Sequence, residues 1–147
     1  MNYPVQRPTG AFVAASWAAL FIGGLAYLVG LWNASMQLNE KGFYFILLIL
    51  GLFSAVSLQK SVRDKLEAIP VTGIYFGLCW IALGLSLLLL TIGLWNATLT
   101  LSERGFYAMS FLFALFGSVA VQKNVRDMAG LEKPKSDKPS TREKIGV

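Results

Sequence analysis

Four uninterrupted runs of the chain, Phe12–Trp32, Phe43–Leu58, Ile74–Trp95 and Phe106–Val121, contain no Asp, Glu, Lys or Arg. Each is apolar on every side rather than along one stripe, so each suits a helix surrounded by lipid better than the surface helix of a soluble protein. The first and third hold 21 and 22 residues, enough to cross a hydrocarbon layer of roughly 30 Å as α-helix. The second and fourth hold 16 residues each, about 24 Å at the helical rise. Both are followed by helix-compatible segments whose Lys and Arg can snorkel to the headgroups, which lengthens the physical helix. The pattern predicts four transmembrane helices.

The polar interruptions repeat as regularly as the apolar runs. Gly30–Leu31–Trp32–Asn33–Ala34, Glu40–Lys41–Gly42–Phe43–Tyr44 and Gln59–Lys60–Ser61–Val62–Arg63–Asp64 return 63 residues later as Gly93–Leu94–Trp95–Asn96–Ala97, Glu103–Arg104–Gly105–Phe106–Tyr107 and Gln122–Lys123–Asn124–Val125–Arg126–Asp127. The shift has no gap, and about half of the paired positions are identical. Such a period marks one supersecondary unit used twice. With two spans per unit, both units enter the membrane in the same sense and are related by a pseudo-twofold axis along the membrane normal. The expected fold is therefore an all-α membrane protein, four transmembrane helices arranged as two tandem parallel-repeat helical hairpins. The expected divisions are an arm at 1–11, a first unit at 12–66, a linker at 67–73 carrying the breaker Pro70, a second unit at 74–129, and a tail at 130–147. The two units are expected to pack as two hairpins, with small residues inside and aromatic belts outside.

Composition and charge refine this picture. Hydrophobic residues make up 55% of the chain and charged residues 14%, too few charges to clothe a water-soluble surface. The net charge of +5 does not signal nucleic-acid binding, because the basic residues are segregated. Eleven of the 13 Lys and Arg lie before the first run, between the second and third, or after the fourth; the other two, Lys41 and Arg104, lie in the remaining loops. The positive-inside rule then puts both termini in the cytoplasm, next to anionic lipid headgroups. No cleaved signal peptide is expected, since Phe12–Trp32 is long for a signal core and has an internal counterpart in the second unit. The tail, rich in Lys, Pro and Ser, has little to bury and reads as disordered. Cys79 lies within the third run and reads as a small buried side chain.

The candidate structural and interaction residues come from the repeated signatures. Trp32 and Trp95 fit the membrane interface, and Asn33 and Asn96 fit helix C-terminal positions. Asn39 and Ser102 read as N-caps, with Glu40 and Glu103 at the positive helix ends. Lys41 and Arg104 can pair with these acids, Gly42 and Gly105 are expected to allow close approach, and Phe43, Tyr44, Phe106 and Tyr107 extend the aromatic belt. At the opposite ends, Gln59, Lys60, Arg63 and Asp64, with Gln122, Lys123, Arg126 and Asp127, form either a headgroup anchor or an ion-pair latch between the units. Ala11, Ala15, Ala19 and Gly23 form a stripe of small residues suited to helix contact in lipid.

The chain lacks the parts for most catalysis. It contains no His, no metal-ligating cluster, no nucleophile–base pair and no phosphate-binding loop, so no catalytic, metal or cofactor-binding residue is expected. No ionisable group lies at membrane depth, as a proton-coupled carrier would need. The doubled Gly-Leu-Trp-Asn-Ala, Glu-Lys/Arg-Gly-Phe-Tyr and Gln-Lys-x-Val-Arg-Asp signatures resemble the YiaA/YiaB bacterial inner-membrane proteins over roughly residues 12–128. That resemblance implies a bacterial inner-membrane location and carries no activity or site residues with it. The expected function is a non-enzymatic envelope scaffold or accessory protein that partners the bilayer and a homo-oligomer or another membrane protein. The alternative is a passive channel or carrier formed by an oligomer, with Glu40, Lys41, Glu103 and Arg104 at its outer mouth.

Overall fold

The computed structural model of the chain describes residues 6–132. The first five residues of the expected arm and residues 133–147 of the expected tail lie outside the described residues. Among the described residues four helices are formed, α1 (Gly10–Asn33), α2 (Leu38–Leu66), α3 (Gly73–Asn96) and α4 (Leu101–Glu132). All four are long and apolar enough to span a membrane.

Repeat-related residues begin and end these helices. Thr9 accepts a hydrogen bond from the Phe12 amide at 3.2 Å, and Thr72 accepts one from Tyr75 at 3.4 Å, so α1 and α3 start slightly ahead of the apolar runs. The expected caps Asn39 and Ser102 are instead inside the first turns of α2 and α4. The Glu40 carboxylate accepts from the Gln37 amide at 2.9 Å. Glu103 accepts from the Thr100 amide at 2.8 Å while the Thr100 hydroxyl accepts from Glu103 at 3.3 Å. A Glu three residues inside a helix satisfies the amide that the helix leaves free, and this draws the start back to Gln37 and Thr100. Asn33 and Asn96 close α1 and α3, donating to the carbonyls of Val29 and Ile92 at 2.9 Å. Helix α4 runs on through Gly130 to Glu132, three residues into the stretch expected as tail.

The packing departs from the expected pair of self-contained hairpins. Helix α1 lies chiefly against α4 and α3 chiefly against α2, while α2 and α4 pair along the pseudo-twofold axis; the two helices of one unit touch each other only slightly. Backbone proximity explains the tightest of these contacts. A methyl group on Gly23 would lie 2.5 Å from the Ala114 amide nitrogen, and one on Gly117 would lie 2.7 Å from Leu20 Cα. Only glycine lets α1 and α4 approach so closely, and in lipid such close packing drives helix association. The repeat-related positions of Gly23 and Gly117 are Ser86 and Ser54, so this pair of glycines is not repeated between α2 and α3. Of the small-residue stripe, Ala19 and Gly23 serve this contact, whereas Ala11 and Ala15 are exposed.

The core lies between α2 and α4 and under the flanking helices. Tyr27 and Phe111 are wholly buried, with Leu47, Leu48, Leu90, Leu94, Ala114 and Leu115 around them. Phe21, Ile22, Leu25 and Val29 on α1, and Leu78, Ile81, Leu85 and Leu88 on α3, face outward. An apolar exterior of this extent suits hydrocarbon and not water.

Candidate functional site

At the hairpin-loop end the two units enclose an open vestibule of about 880 Å³. Its lining residues fall into nine pairs, each related by the 63-residue shift, so the vestibule has the symmetry of the repeat. Asn33 and Asn96, Ser35 and Thr98, and the acids Glu40 and Glu103 supply its polar groups; Phe43, Phe106, Tyr44 and Tyr107 supply its aromatic wall and floor.

The two basic residues nearby do not line this space. Lys41 Nζ donates to the Trp32 carbonyl at 2.9 Å, and an Arg104 guanidinium nitrogen donates to the Ala97 carbonyl at 2.9 Å. Lys41 thus ties the end of α1 to α2, and Arg104 ties the loop after α3 to α4, rather than either pairing with Glu40 or Glu103. Gly42 and Gly105, expected at a close approach, have open space where a side chain would project. The glycines that make room are Gly30 and Gly93. A methyl group on Gly30 would meet the Phe106 ring at 2.7 Å, and one on Gly93 would lie 3.1 Å from the Tyr44 hydroxyl.

Tyr44 and Tyr107, placed by sequence in the aromatic belt, are instead buried on the axis at 5% exposure each. Their rings stack across the axis with centroids 6.5 Å apart and an interplanar angle of 20°. Tyr27 meets Tyr107 edge-on and donates its hydroxyl to the Tyr44 carbonyl at 2.9 Å. Phe43 and Phe106 are about half-exposed, and Trp32 and Trp95 project well out of the bundle beside the loops, as interfacial indoles do.

At the opposite end the repeated charges meet across the axis. Arg63 pairs with Asp127, and Arg126 pairs with Asp64 at 2.6 Å, each bond joining one unit to the other. Lys60 and Lys123 add bonds of 2.8 and 2.9 Å to the same two aspartates from within their own helices. The carboxylates are about nine-tenths buried while the lysines remain half-exposed. Glu67, absent from the repeated signatures because its counterpart is Gly130, receives Arg63 at 2.9 Å and Arg126 at 2.8 Å. These hydrogen bonds, from Arg63 first, hold the Glu67 carboxyl below its ordinary range. Gln59 and Gln122 are half-buried beside this network, and the Gln59 side-chain oxygen has no partner among the described residues. One turn deeper, Asn124 donates to the Ser16 hydroxyl at 3.0 Å. The repeat-related pair, Ser61 and Cys79, lies with oxygen and sulfur 4.0 Å apart.

The structure therefore gathers the sequence candidates into two clusters, the acids and amides at one end and the latch at the other. Sequence reasoning missed the floor tyrosines, Gly93 as a spacer, and Glu67. The tyrosines carried a signal, since both fall four residues after an acid that starts a helix, on the same helix face as that acid.

Comparison with known proteins follows the same division of the chain. The model of the family described as yiaA/B two helix domain matches twice, over residues 12–64 and 75–127. The chain is 57% identical over 135 residues to the inner membrane protein YiaA of Escherichia coli K12, covering 92% of each. It is 29% identical over 98 residues to the inner membrane protein YiaB of the same organism, covering 67% of this chain and 83% of the relative. An uncharacterized membrane protein, YubF of Bacillus subtilis, is 38% identical over 63 residues, which is 42% of this chain and 72% of the relative. No solved structure matches.

Proposed function

Because the chain belongs to the yiaA/B two-helix domain family, we propose that it acts as a non-enzymatic scaffold or accessory protein of the bacterial inner membrane, and that a single bundle does not conduct. One observation carries this reading: the space under the vestibule is filled. Tyr44 and Tyr107 close its floor, and Tyr27, Leu48 and Phe111 below them are at most 2% exposed. A conducting path needs polar groups or water along its length, and these side chains offer a packed apolar plug. The bilayer is the established environment, and the half-exposed Lys60 and Lys123 suit contact with anionic headgroups at the latch end.

The excess of Lys and Arg at the latch end supports placing that end and both termini in the cytoplasm, with the vestibule facing the periplasm. In a Cys79→Ala background, a membrane-impermeant thiol reagent added to the periplasmic side should label Asn39→Cys and leave Ser136→Cys unlabelled. The reverse pattern would invert the orientation.

Purified protein in liposomes tests the main reading. The expected result is no flux of small ions or neutral solutes above that of empty liposomes. Solute flux that falls when Glu40 and Glu103 are neutralised would replace the scaffold with a channel formed by an oligomer.

A further inference from the structure

The vestibule has features of a binding site and not only of a dent between loops. Its floor is made by two tyrosines that are about 95% buried, yet neither the Tyr44 nor the Tyr107 hydroxyl has a hydrogen-bond partner among the described residues. Tyr27, by contrast, has its hydroxyl satisfied by a backbone carbonyl. Both tyrosines line the open cavity, where their hydroxyls are left to be met by water or a ligand. Above the floor stand two carboxylates. Each spends one oxygen on capping its helix, Glu40 on the Gln37 amide and Glu103 on the Thr100 amide, and so leaves the other available. The nearest cations, Lys41 and Arg104, donate to the Trp32 and Ala97 carbonyls and do not line the space, although the buried Arg104 Nε has no partner among the described residues.

We propose that this vestibule binds an organic cation bearing an alkylammonium group, held between the Glu40 and Glu103 carboxylates and above the Tyr44 and Tyr107 hydroxyls. The lining residues offer two negative charges and no positive one, the half-exposed Phe43 and Phe106 rings, and hydroxyl and amide oxygens as acceptors. A phosphate or carboxylate ligand would meet the two glutamates with repulsion, and a purely apolar ligand would leave the tyrosine hydroxyls unpaired. The cavity of about 880 Å³ admits an ammonium group together with several further carbons. The same chemistry is carried by free amines and by the headgroups of zwitterionic lipids, both of which have access to an open mouth at the membrane surface. The inference stands on the vestibule alone and is independent of whether the protein is a scaffold or a channel.

Isothermal titration of the full-length protein, first in lipid-free detergent, with choline and with its uncharged isostere 3,3-dimethylbutan-1-ol, provides the test. Choline is expected to bind saturably and the isostere not. Glu40→Gln with Glu103→Gln should weaken choline by roughly three- to tenfold, since two exposed carboxylates are lost. Tyr44→Phe with Tyr107→Phe, which leaves the caps and charges in place, should weaken it by roughly three- to tenfold through loss of the hydrogen bond to choline's own hydroxyl. Circular dichroism checks that both variants keep their helices. Titration in nanodiscs then separates the sources: binding to phosphatidylglycerol discs that is abolished when phosphatidylethanolamine is added assigns the site to a lipid headgroup. Binding unchanged by that lipid assigns it to a soluble amine. Equal binding of the isostere, unchanged binding by the double glutamine variant, or no saturable binding of choline would overturn the proposal.

Discussion

Single residues decide how close the helices come, and glycine shows this most sharply. Gly117 and Gly23 sit where the α1 and α4 backbones cross, while Gly42 and Gly105 face open space. Gly117→Val should therefore destabilise the protein by roughly 1–3 kcal/mol, because the crossing must open to admit the side chain. Gly105→Ala should be neutral or stabilising by up to about 1 kcal/mol, since it removes only the entropic cost of glycine in a helix. Thermal unfolding in detergent, followed by circular dichroism, distinguishes the two. Equal effects would mean that the crossing is not where the structure places it. The repeated Gly42 and Gly105 stood out in the sequence, but repetition reports a shared helix start and not a shared contact. Gly30 and Gly93 are repeated as well, and nothing local to them reveals that an aromatic ring from the other unit fills the space they leave. The same limit applied to Tyr44 and Tyr107, whose neighbours Trp32, Phe43 and Phe106 made an interfacial belt the natural reading.

At the scale of elements, the helices themselves were legible in the sequence and their partners were not. Uninterrupted apolar runs mark a membrane span whatever it packs against, so the existence and number of helices followed directly from the charges between them. In lipid the apolar face of a helix no longer distinguishes inside from outside, and the choice of partner is left to backbone proximity and buried polar groups. Those groups here join one unit to the other. Arg63 with Asp127 and Arg126 with Asp64 cross the axis, and Glu67 bridges both arginines. The i,i+4 pairs Lys60–Asp64 and Lys123–Asp127 could be read from spacing, but the cross-axis arginines needed the fold. A double-mutant cycle with Arg63→Ala and Asp127→Ala should return a coupling of about 0.5–3 kcal/mol, as expected for a contacting and largely buried charge pair. Strict additivity in denaturant unfolding would reduce the latch to two independent headgroup anchors.

For the whole molecule, the interleaving of the units is what turns a tandem repeat into one bundle. Helices α2 and α4 run parallel along the axis, each flanked by the first helix of the other unit. Neither unit has a core of its own: Tyr27 of the first unit packs against Tyr107 and Phe111 of the second. The pseudo-twofold axis then passes between the stacked Tyr44 and Tyr107 at one end and the crossed ion pairs at the other, which leaves a vestibule above a closed core. That arrangement depends on cross-unit packing, and the chain carries its own reporter for it. The native Cys79 on α3 lies with its sulfur 4.0 Å from the Ser61 hydroxyl on α2. In mild oxidant, Ser61→Cys should form a disulfide with Cys79 within one chain, read as loss of two alkylatable thiols and of two hydrogens in mass. A comparison chain carrying Ser16→Cys, Ser61→Cys and Cys79→Ala, which pairs positions of a single unit, should remain reduced. Rapid bridging in the comparison chain, with Cys79 left free in Ser61→Cys, would contradict the interleaved bundle and restore two separate hairpins.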